Sequence, residues 1–152
     1  MGVTTACPST RTLCEKMKYI QIQQGSELPE IASMAPFRVV VVIEEVVSAE
    51  WQSIVSEWLV KSGCLYMMAW GNKCSSWDDS VDYANLSEFK YQEIPANKLV
   101  ITTWHENEPL KEVFWFSKNN ANHSEVKIKN TLVLHISNSN NERKLSNEYK
   151  SA

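Results

Sequence analysis

Four short apolar runs alternate with stretches of helical periodicity along the chain. The first run, which starts at Phe37, reads FRVVVVIEE and is bounded by Pro36 and by charge. A continuous run rich in β-branched residues is typical of a strand that is buried on both faces. Three further runs have strand length and cover residues 64–71, 98–104 and 131–137. The pattern therefore predicts four strands of one buried sheet.

The segments between these runs predict helices. Apolar residues at helical spacing follow the first run, with Ser48 placed to cap the amino end and Gly63 placed beyond the carboxyl end. Ser76 is the predicted N-cap of a weaker second helix, which follows the second run. Pro109 suits the first position of a third helix over residues 109–120.

The order β-α-β-α-β-α-β predicts an α/β fold with a mainly parallel sheet and helices on both faces, a three-layer sandwich. Numbered along the chain, the simplest strand order is 2-1-3-4, a flavodoxin-like or Rossmann-like layout. Residues 36–137 are the predicted single α/β domain, residues 1–35 an N-terminal extension and residues 138–152 a polar flexible tail. Within the extension, residues 18–24 fit either an edge strand or a short helix.

Composition narrows the possible functions. The 152 residues include six Trp but only four Gly, and GxGxxG, GxxxxGK[ST] and GxSxG are absent from the sequence. Residues 36–117 carry 6 Lys or Arg against 12 Asp or Glu, which disfavours nucleic acid as a partner. An acidic body suits a cation or a basic protein instead. The sequence also shows no apolar run long enough for a membrane span or a signal peptide, so we expect a cytoplasmic protein.

Candidate chemistry lies in the loops that follow the strands. With the order 2-1-3-4, the loop after the first strand would meet the loop after the third at the carboxyl edge of the sheet, where α/β proteins bind ligands. This would bring together His105, Glu106 and Glu45 as candidate catalytic residues, with His105 as acid, base or ligand and Glu106 or Glu45 as its carboxylate partner. The alternative is that these acids only complement a helix terminus and keep a loop soluble.

Aromatic and acidic residues are predicted to surround the same edge as ligand-binding groups. They are Glu44, Trp70, Trp77, Asp78 and Trp104. Such a rim suits a flat or cationic ligand better than a phosphate. No pair of Cys or His residues has the HExxH or CxxC spacing of a specific metal site, so no metal ligand is assigned and the cofactor stays open. His135, inside the fourth apolar run, is interpreted as a hydrogen-bonded structural histidine.

The predicted helix over residues 109–120 is apolar over too wide an arc for one narrow stripe. Either the N-terminal extension covers the excess, or another chain does, which would make the protein an oligomer.

Four segments carry a resemblance to a known family: WLVKSGCLYMMAWG, CSSWDDSVDYAN, TTWHENEPLKEVFWF and LHIS. In this order they resemble a small bacterial family that is a domain of unknown function. The resemblance covers roughly residues 37–137 and leaves the first 35 residues and the tail outside. It implies no activity, ligand or site residue.

Two functional hypotheses follow. The first is a small cytoplasmic α/β protein that binds, or acts on, a small polar or cationic ligand at the carboxyl edge of its sheet. The second is a non-enzymatic interaction module, immunity-type or regulatory, whose acidic surface binds a basic protein.

Overall fold

The structure is a computed structural model that describes residues 16–152. Its strands are β1 (Lys16–Ile22), β2 (Phe37–Ile43), β3 (Cys64–Gly71), β4 (Ile101–His105) and β5 (Asn130–Ile136). Its α-helices are α1 (Ala49–Lys61), α2 (Cys74–Glu88), α3 (Leu110–Asn119) and α4 (Glu142–Ser151), and short 3-10 turns cover Ala32–Met34 and Ala96–Lys98. All the strand pairs within this range are parallel, so the predicted α/β fold with a parallel sheet is confirmed.

The strand order is β1-β5-β2-β3-β4. In the same labels, the order predicted for the four apolar runs is β3-β2-β4-β5, so the predicted order is corrected. Helices α1 and α2 pack against each other on one face of the sheet and carry the chain stepwise from β2 to β3 to β4. Helix α3 lies on the opposite face of the sheet. A right-handed connection on that face leads the chain from β4 back past β3 and β2 before β5 begins. As a result β4 is an edge strand, and β5 lies beside β2.

Alternate residues of the central strands supply two hydrophobic cores, one on each face of the sheet. Val39 and Val41 of β2 pack with α1 and α2, whereas Val40 and Val42 pack with α3 and α4. Every residue of β2 is buried, as the continuous apolar run predicts. Because the strands are parallel, their carboxyl ends all lie along the same end of the sheet, between the two cores.

Residues 18–24 fit either an edge strand or a short helix by sequence, and residues 18–22 belong to the edge strand β1. This strand pairs with β5 over its whole length. Apolar Ile20 and Ile22 pack on the α1 side, and the lysines near the start of β1 are exposed. Residues 23–35 of the predicted extension are also described and include the 3-10 turn Ala32–Met34, whereas residues 1–15 lie outside the described residues.

The predicted flexible tail is corrected, because residues 142–151 form the amphipathic helix α4. Leu145 and Tyr149, four residues apart, are its buried residues and face the core beside α3. The ring of Tyr149 meets that of Phe114 edge to face, with 5.3 Å between the centroids. Helix α4 of the same chain therefore covers part of the wide apolar arc of α3, while Trp115 stays 48% exposed.

The helix ends agree with the sequence in part. The Ser48 hydroxyl accepts a hydrogen bond from the Trp51 backbone N–H, 3.1 Å away, as predicted. Helix α2, however, begins at Cys74, so the N-cap is Lys73 and not Ser76. Ser76 instead donates its hydroxyl hydrogen to the Lys73 carbonyl inside the first turn.

Between residues 16 and 152, no helix has the length and apolar character needed to cross a membrane.

Candidate functional site at the carboxyl edge of the sheet

The two strand histidines lie far apart in the last row of the sheet that includes β4. The register aligns His135 of β5, Val42 of β2, Trp70 of β3 and His105 of β4. Since neighbouring strands lie about 4.8 Å apart, three spacings separate the histidine backbones by about 14 Å. The carboxyl edge is therefore divided into a β3–β4 part and a β2–β5 part.

The structure does not bring Glu45 to His105 and Glu106. Strand β3 lies between the strands that carry them. Glu45 instead accepts a hydrogen bond from the Asn138 backbone N–H at its Oε2 atom, at 3.1 Å, and so holds the loop after β5. The predicted trio depended on the order 2-1-3-4, and it separates because β4 is at the edge.

His105 is buried and is held at both ring nitrogens. Its Nε2 lies 2.9 Å from the Thr103 hydroxyl, and its Nδ1 lies 3.3 Å from Oε2 of Glu108. The ring packs edge to face on Phe116, with centroids 5.0 Å apart. Glu108 is thus the carboxylate partner of His105, in place of the predicted Glu106 or Glu45.

A cavity of about 350 Å³ opens beside His105. Its lining residues are Trp70, Gly71, His105, Glu106, Asn107 and Glu108. The indole N–H of Trp70 donates to the carbonyl of Glu108 at 2.7 Å, which fixes the loop before α3 against β3. Asn107 has a φ of 61°, a conformation that Asn tolerates better than most residues. The loop therefore places both Glu106 and Glu108 in the wall of one cavity.

Gly71 makes the close approach between β2 and the loop after β3 possible. Its φ is 110°, and a Cβ atom built on it would lie 2.2 Å from the carbonyl oxygen of Ile43. The following residue, Asn72, donates its backbone N–H to that same oxygen at 2.9 Å. Only glycine fits at position 71, because any side chain there would collide with the backbone at the end of β2.

The other predicted ligand-binding residues are dispersed. Trp77 is 2% exposed and belongs to the core beside α1, so it is not a rim residue. Trp104 is 47% exposed, but strand alternation places it on the face of β4 opposite to His105. Asp78 is buried on α2, and its Oδ1 atom has no hydrogen-bond partner among the described residues. Of the predicted aromatic rim, Trp70 alone lines the cavity beside His105.

The point where the connections diverge lies between β2 and β5, because α1 follows β2 on one face and α4 follows β5 on the other. Here Oε1 of Glu44 lies 2.9 Å from Nε2 of His135, which is fully buried. Nδ1 of His135 lies 2.7 Å from the hydroxyl of Tyr19, and this oxygen accepts the Asn141 backbone N–H at 2.9 Å. One continuous hydrogen-bonded chain thus joins β2, β5, β1 and the start of α4.

Sequence reasoning treated His135 as a hydrogen-bonded structural residue and missed Tyr19 as its partner. A polar ring inside an apolar strand signals a buried hydrogen-bond network. The partners could not be read from the sequence, because Tyr19 and His135 are 116 residues apart and meet only through the pairing of β1 with β5.

The two described cysteines are poor nucleophiles. Burial raises the pKa of the Cys64 thiol to about 12. Burial is also the main cause that raises the pKa of Cys74, and the nearby Glu106 carboxylate adds to it, whereas a hydrogen bond from the His105 backbone opposes it. Within residues 16–152, no group of three or more His, Cys, Asp or Glu side chains is arranged to hold a metal ion.

Comparison with known proteins places the chain in a family. Residues 17–152 match the family described as Domain of unknown function (DUF7684), which extends the resemblance over β1 and α4. No curated protein and no solved structure matches the chain. Since the match covers every strand of the sheet, apart from Lys16, and all four helices, the chain belongs to the DUF7684 family.

Proposed function

We propose that this domain binds a small cationic ligand in the cavity between the carboxyl ends of β3 and β4. The observation that carries this proposal is the composition of the wall, in which Glu106 and Glu108 stand beside the indole of Trp70 and the ring of His105. Carboxylates attract a cation, and an aromatic face adds a cation–π attraction. The cavity volume of about 350 Å³ is near the lower end for ligand sites, which suits a small molecule.

The geometry favours binding over catalysis by His105. Thr103 and Glu108 occupy both ring nitrogens, so His105 must lose one of these partners before it transfers a proton to or from a ligand. The 3.3 Å contact with Glu108 is the longer of the two, and a cation that binds Glu108 would compete for it. His105 therefore positions the Glu108 carboxylate in this proposal.

Titration calorimetry with guanidinium, methylammonium and the diamine putrescine tests the proposal, with acetate as the anionic control. We expect saturable binding of at least one of these cations and none of acetate. Glu106→Gln should weaken binding about fivefold or more, since it removes one negative charge from the wall. Glu112→Gln, which changes an exposed acid of α3 outside the cavity, is the matched control and should leave the affinity unchanged. Equal binding to the Glu106→Gln and wild-type proteins would contradict the assignment.

A second candidate function is binding of a basic protein, and two exposed aromatic residues, one on the acidic helix α2 and one in the turn that follows it, favour this function. Tyr83 and Tyr91 are mostly exposed, their rings lie 5.7 Å apart, and their hydroxyls are hydrogen-bonded at 2.9 Å. Exposed tyrosines beside carboxylates are common anchors at interfaces. If the domain acts in this way, a basic partner should bind stoichiometrically, and Tyr83→Ser should abolish that complex without affecting the binding of small cations.

A further inference from the structure

The edge strand β4 has an outer side, facing away from β3, on which no strand of the described chain lies. Alternate backbone N–H and C=O groups of an edge strand point away from the sheet and can pair with another extended chain. The five residues of β4, Ile101–His105, include none of the Lys or Pro residues that usually protect such an edge. The outer side of β4 is therefore a template for strand addition.

The opposite edge of the sheet is protected. Strand β1 carries two exposed lysines, Lys16 and Lys18, within its seven residues. Charged side chains of this kind discourage another chain from pairing with an edge strand. The two edges of the sheet thus differ, and β4 is the one that accepts a partner strand more readily.

Helix α2 packs over β4 and runs in the opposite direction. Asp82 accepts a hydrogen bond from the Thr102 hydroxyl at 2.8 Å, and Cys74, eight residues earlier, contacts the backbone of His105. Asp78 is four residues from both Cys74 and Asp82, so it lies on the same face of α2. It is therefore level with the part of β4 that lies between Thr102 and His105.

The carboxylates of α2 beside β4 lack a positive charge from their own helix. Residues 74–88 include Asp78, Asp79 and Asp82 but no Lys or Arg. Burial is the main cause that raises the pKa of Asp82, and the carboxylates of Asp78 and Asp79 raise it further against the hydrogen bond from Thr102. Asp78 is only 9% exposed, and its Oδ1 atom has no hydrogen-bond partner among the described residues. A cation from a partner would supply the missing charge.

An exposed aromatic ring lies next to these carboxylates. Trp104 is two residues beyond Thr102 on the same face of β4, a distance of about 7 Å along the strand. Its side chain is 47% exposed. An indole face attracts an ammonium or guanidinium group and packs against the apolar stem that carries it. The α2 face of β4 thus combines carboxylates with an aromatic anchor.

We propose that an extended basic segment of a partner protein adds to β4 as a sixth strand. Its backbone pairs with the outer side of β4, and its Lys or Arg side chains on the α2 face pair with Asp78 and Asp82 and pack on Trp104. A second copy of this chain fits less well, because antiparallel pairing of two β4 strands would place two acidic helices on one face. This inference rests on the second candidate function, for which it names the chemistry and conformation of the basic partner.

Titration calorimetry of the full chain with the acetylated and amidated hexapeptide KVRVKV tests the proposal. In an extended peptide of this sequence, the basic side chains share one face and the valines share the other. We expect saturable binding of KVRVKV and none of the charge-inverted peptide EVEVEV. Hydrogen exchange of residues 101–105 should become slower when KVRVKV is bound, because their outward amides gain partners.

Backbone methylation separates strand addition from simple charge attraction. One version of KVRVKV carries N-methyl groups on its valines, and another carries them on its basic residues. Strand pairing uses the N–H groups of only one of these sets, so one version should bind at least about tenfold more weakly and the other should bind like the parent peptide. If both versions bind like the parent, the domain still binds basic peptides but the strand addition is wrong.

Two variants test the side-chain contacts. Asp82→Asn keeps an acceptor for Thr102 and removes the charge, and it should weaken binding of KVRVKV about threefold to fivefold. Trp104→Thr keeps a residue that suits a strand and should weaken binding about fivefold or more. Glu57→Gln, on the exposed face of α1, is the matched control and should leave the affinity unchanged.

Three outcomes overturn the proposal in other ways. If KVRVKV does not bind, the basic-protein function fails together with the strand addition. If EVEVEV binds equally well, the carboxylates do not select the partner. If sedimentation shows a stable dimer in which residues 101–105 are already protected from exchange, the edge belongs to a second copy of the chain.

Discussion

Single residues at the carboxyl edge have roles that follow from their immediate contacts. His105 and His135 each pair with a carboxylate and a hydroxyl, yet His105 lines an open cavity and His135 is enclosed. Gly71 has no side chain, and this absence lets the end of β3 approach the backbone of Ile43 closely.

Replacement of Gly71 by Ala should destabilise the fold by about 2 kcal/mol or more, since the new Cβ combines a positive φ with a clash against the Ile43 carbonyl. Gly25→Ala is the matched control, because Gly25 also has a positive φ, of 89°, but no atom within 4 Å of the new Cβ. It should cost only the conformational term, about 1 kcal/mol. Urea unfolding of both variants measures the difference, and an equal loss would show that the contact with Ile43 is relaxed at no cost.

At the scale of elements, α4 is the helix that differs most from the sequence-based expectation, which was a flexible tail. Its sequence is polar and looks like a tail, because only Leu145 and Tyr149 face inward. These two residues nevertheless cover Phe114 and close the core on the α3 face. Lys118 of α3 also lies 4.9 Å above the Tyr149 ring and donates to carbonyls at the end of α4. The helix is thus an integral part of the domain.

Leu145→Ala should lower the free energy of unfolding by about 2–3 kcal/mol, the usual cost of a buried leucine. Arg143→Ala, on the exposed face of the same helix, should change it by less than about 0.5 kcal/mol. Chemical denaturation monitored by tryptophan fluorescence checks both values. If α4 were dispensable, the two variants would have the same stability.

At the scale of the whole molecule, the strand order decides which groups share a site. A run of alternating strands and helices predicts the class of the fold, and the class is confirmed. It does not say at which step the chain crosses to the other face. The order with β4 at the edge results from α1 and α2 sharing one face, and this separates Glu45 from His105.

Hydrogen exchange provides a test of this order in solution. In β1-β5-β2-β3-β4, strand β5 has a neighbour on each side and β4 has one, so the amides of β5 should exchange more slowly than those of β4. The order expected from the sequence makes the opposite prediction, because it places β4 inside the sheet and β5 at its edge. Mass spectrometry of peptides covering residues 101–105 and 130–136 distinguishes the two.

The sequence by itself determined the features that depend on local pattern. The continuous run of β2 predicts a strand buried on both faces, and the periodicity after it predicts α1 with Ser48 as its cap. These inferences succeed because burial and capping are imposed by residues a few positions apart. The same locality explains why the apolar runs indicate a position near the end of β3 for Trp70 and a position after β4 for Glu106.

Only the tertiary structure decided what depends on distant partners. The pairing of Tyr19 with His135, the replacement of Glu45 by Glu108 beside His105, and the covering of α3 by α4 each rest on which strand or helix lies next to which. The free energy that selects one neighbour over another is summed over both cores of the sheet. No short segment contains it, so the constellation of the site is a property of the assembled fold.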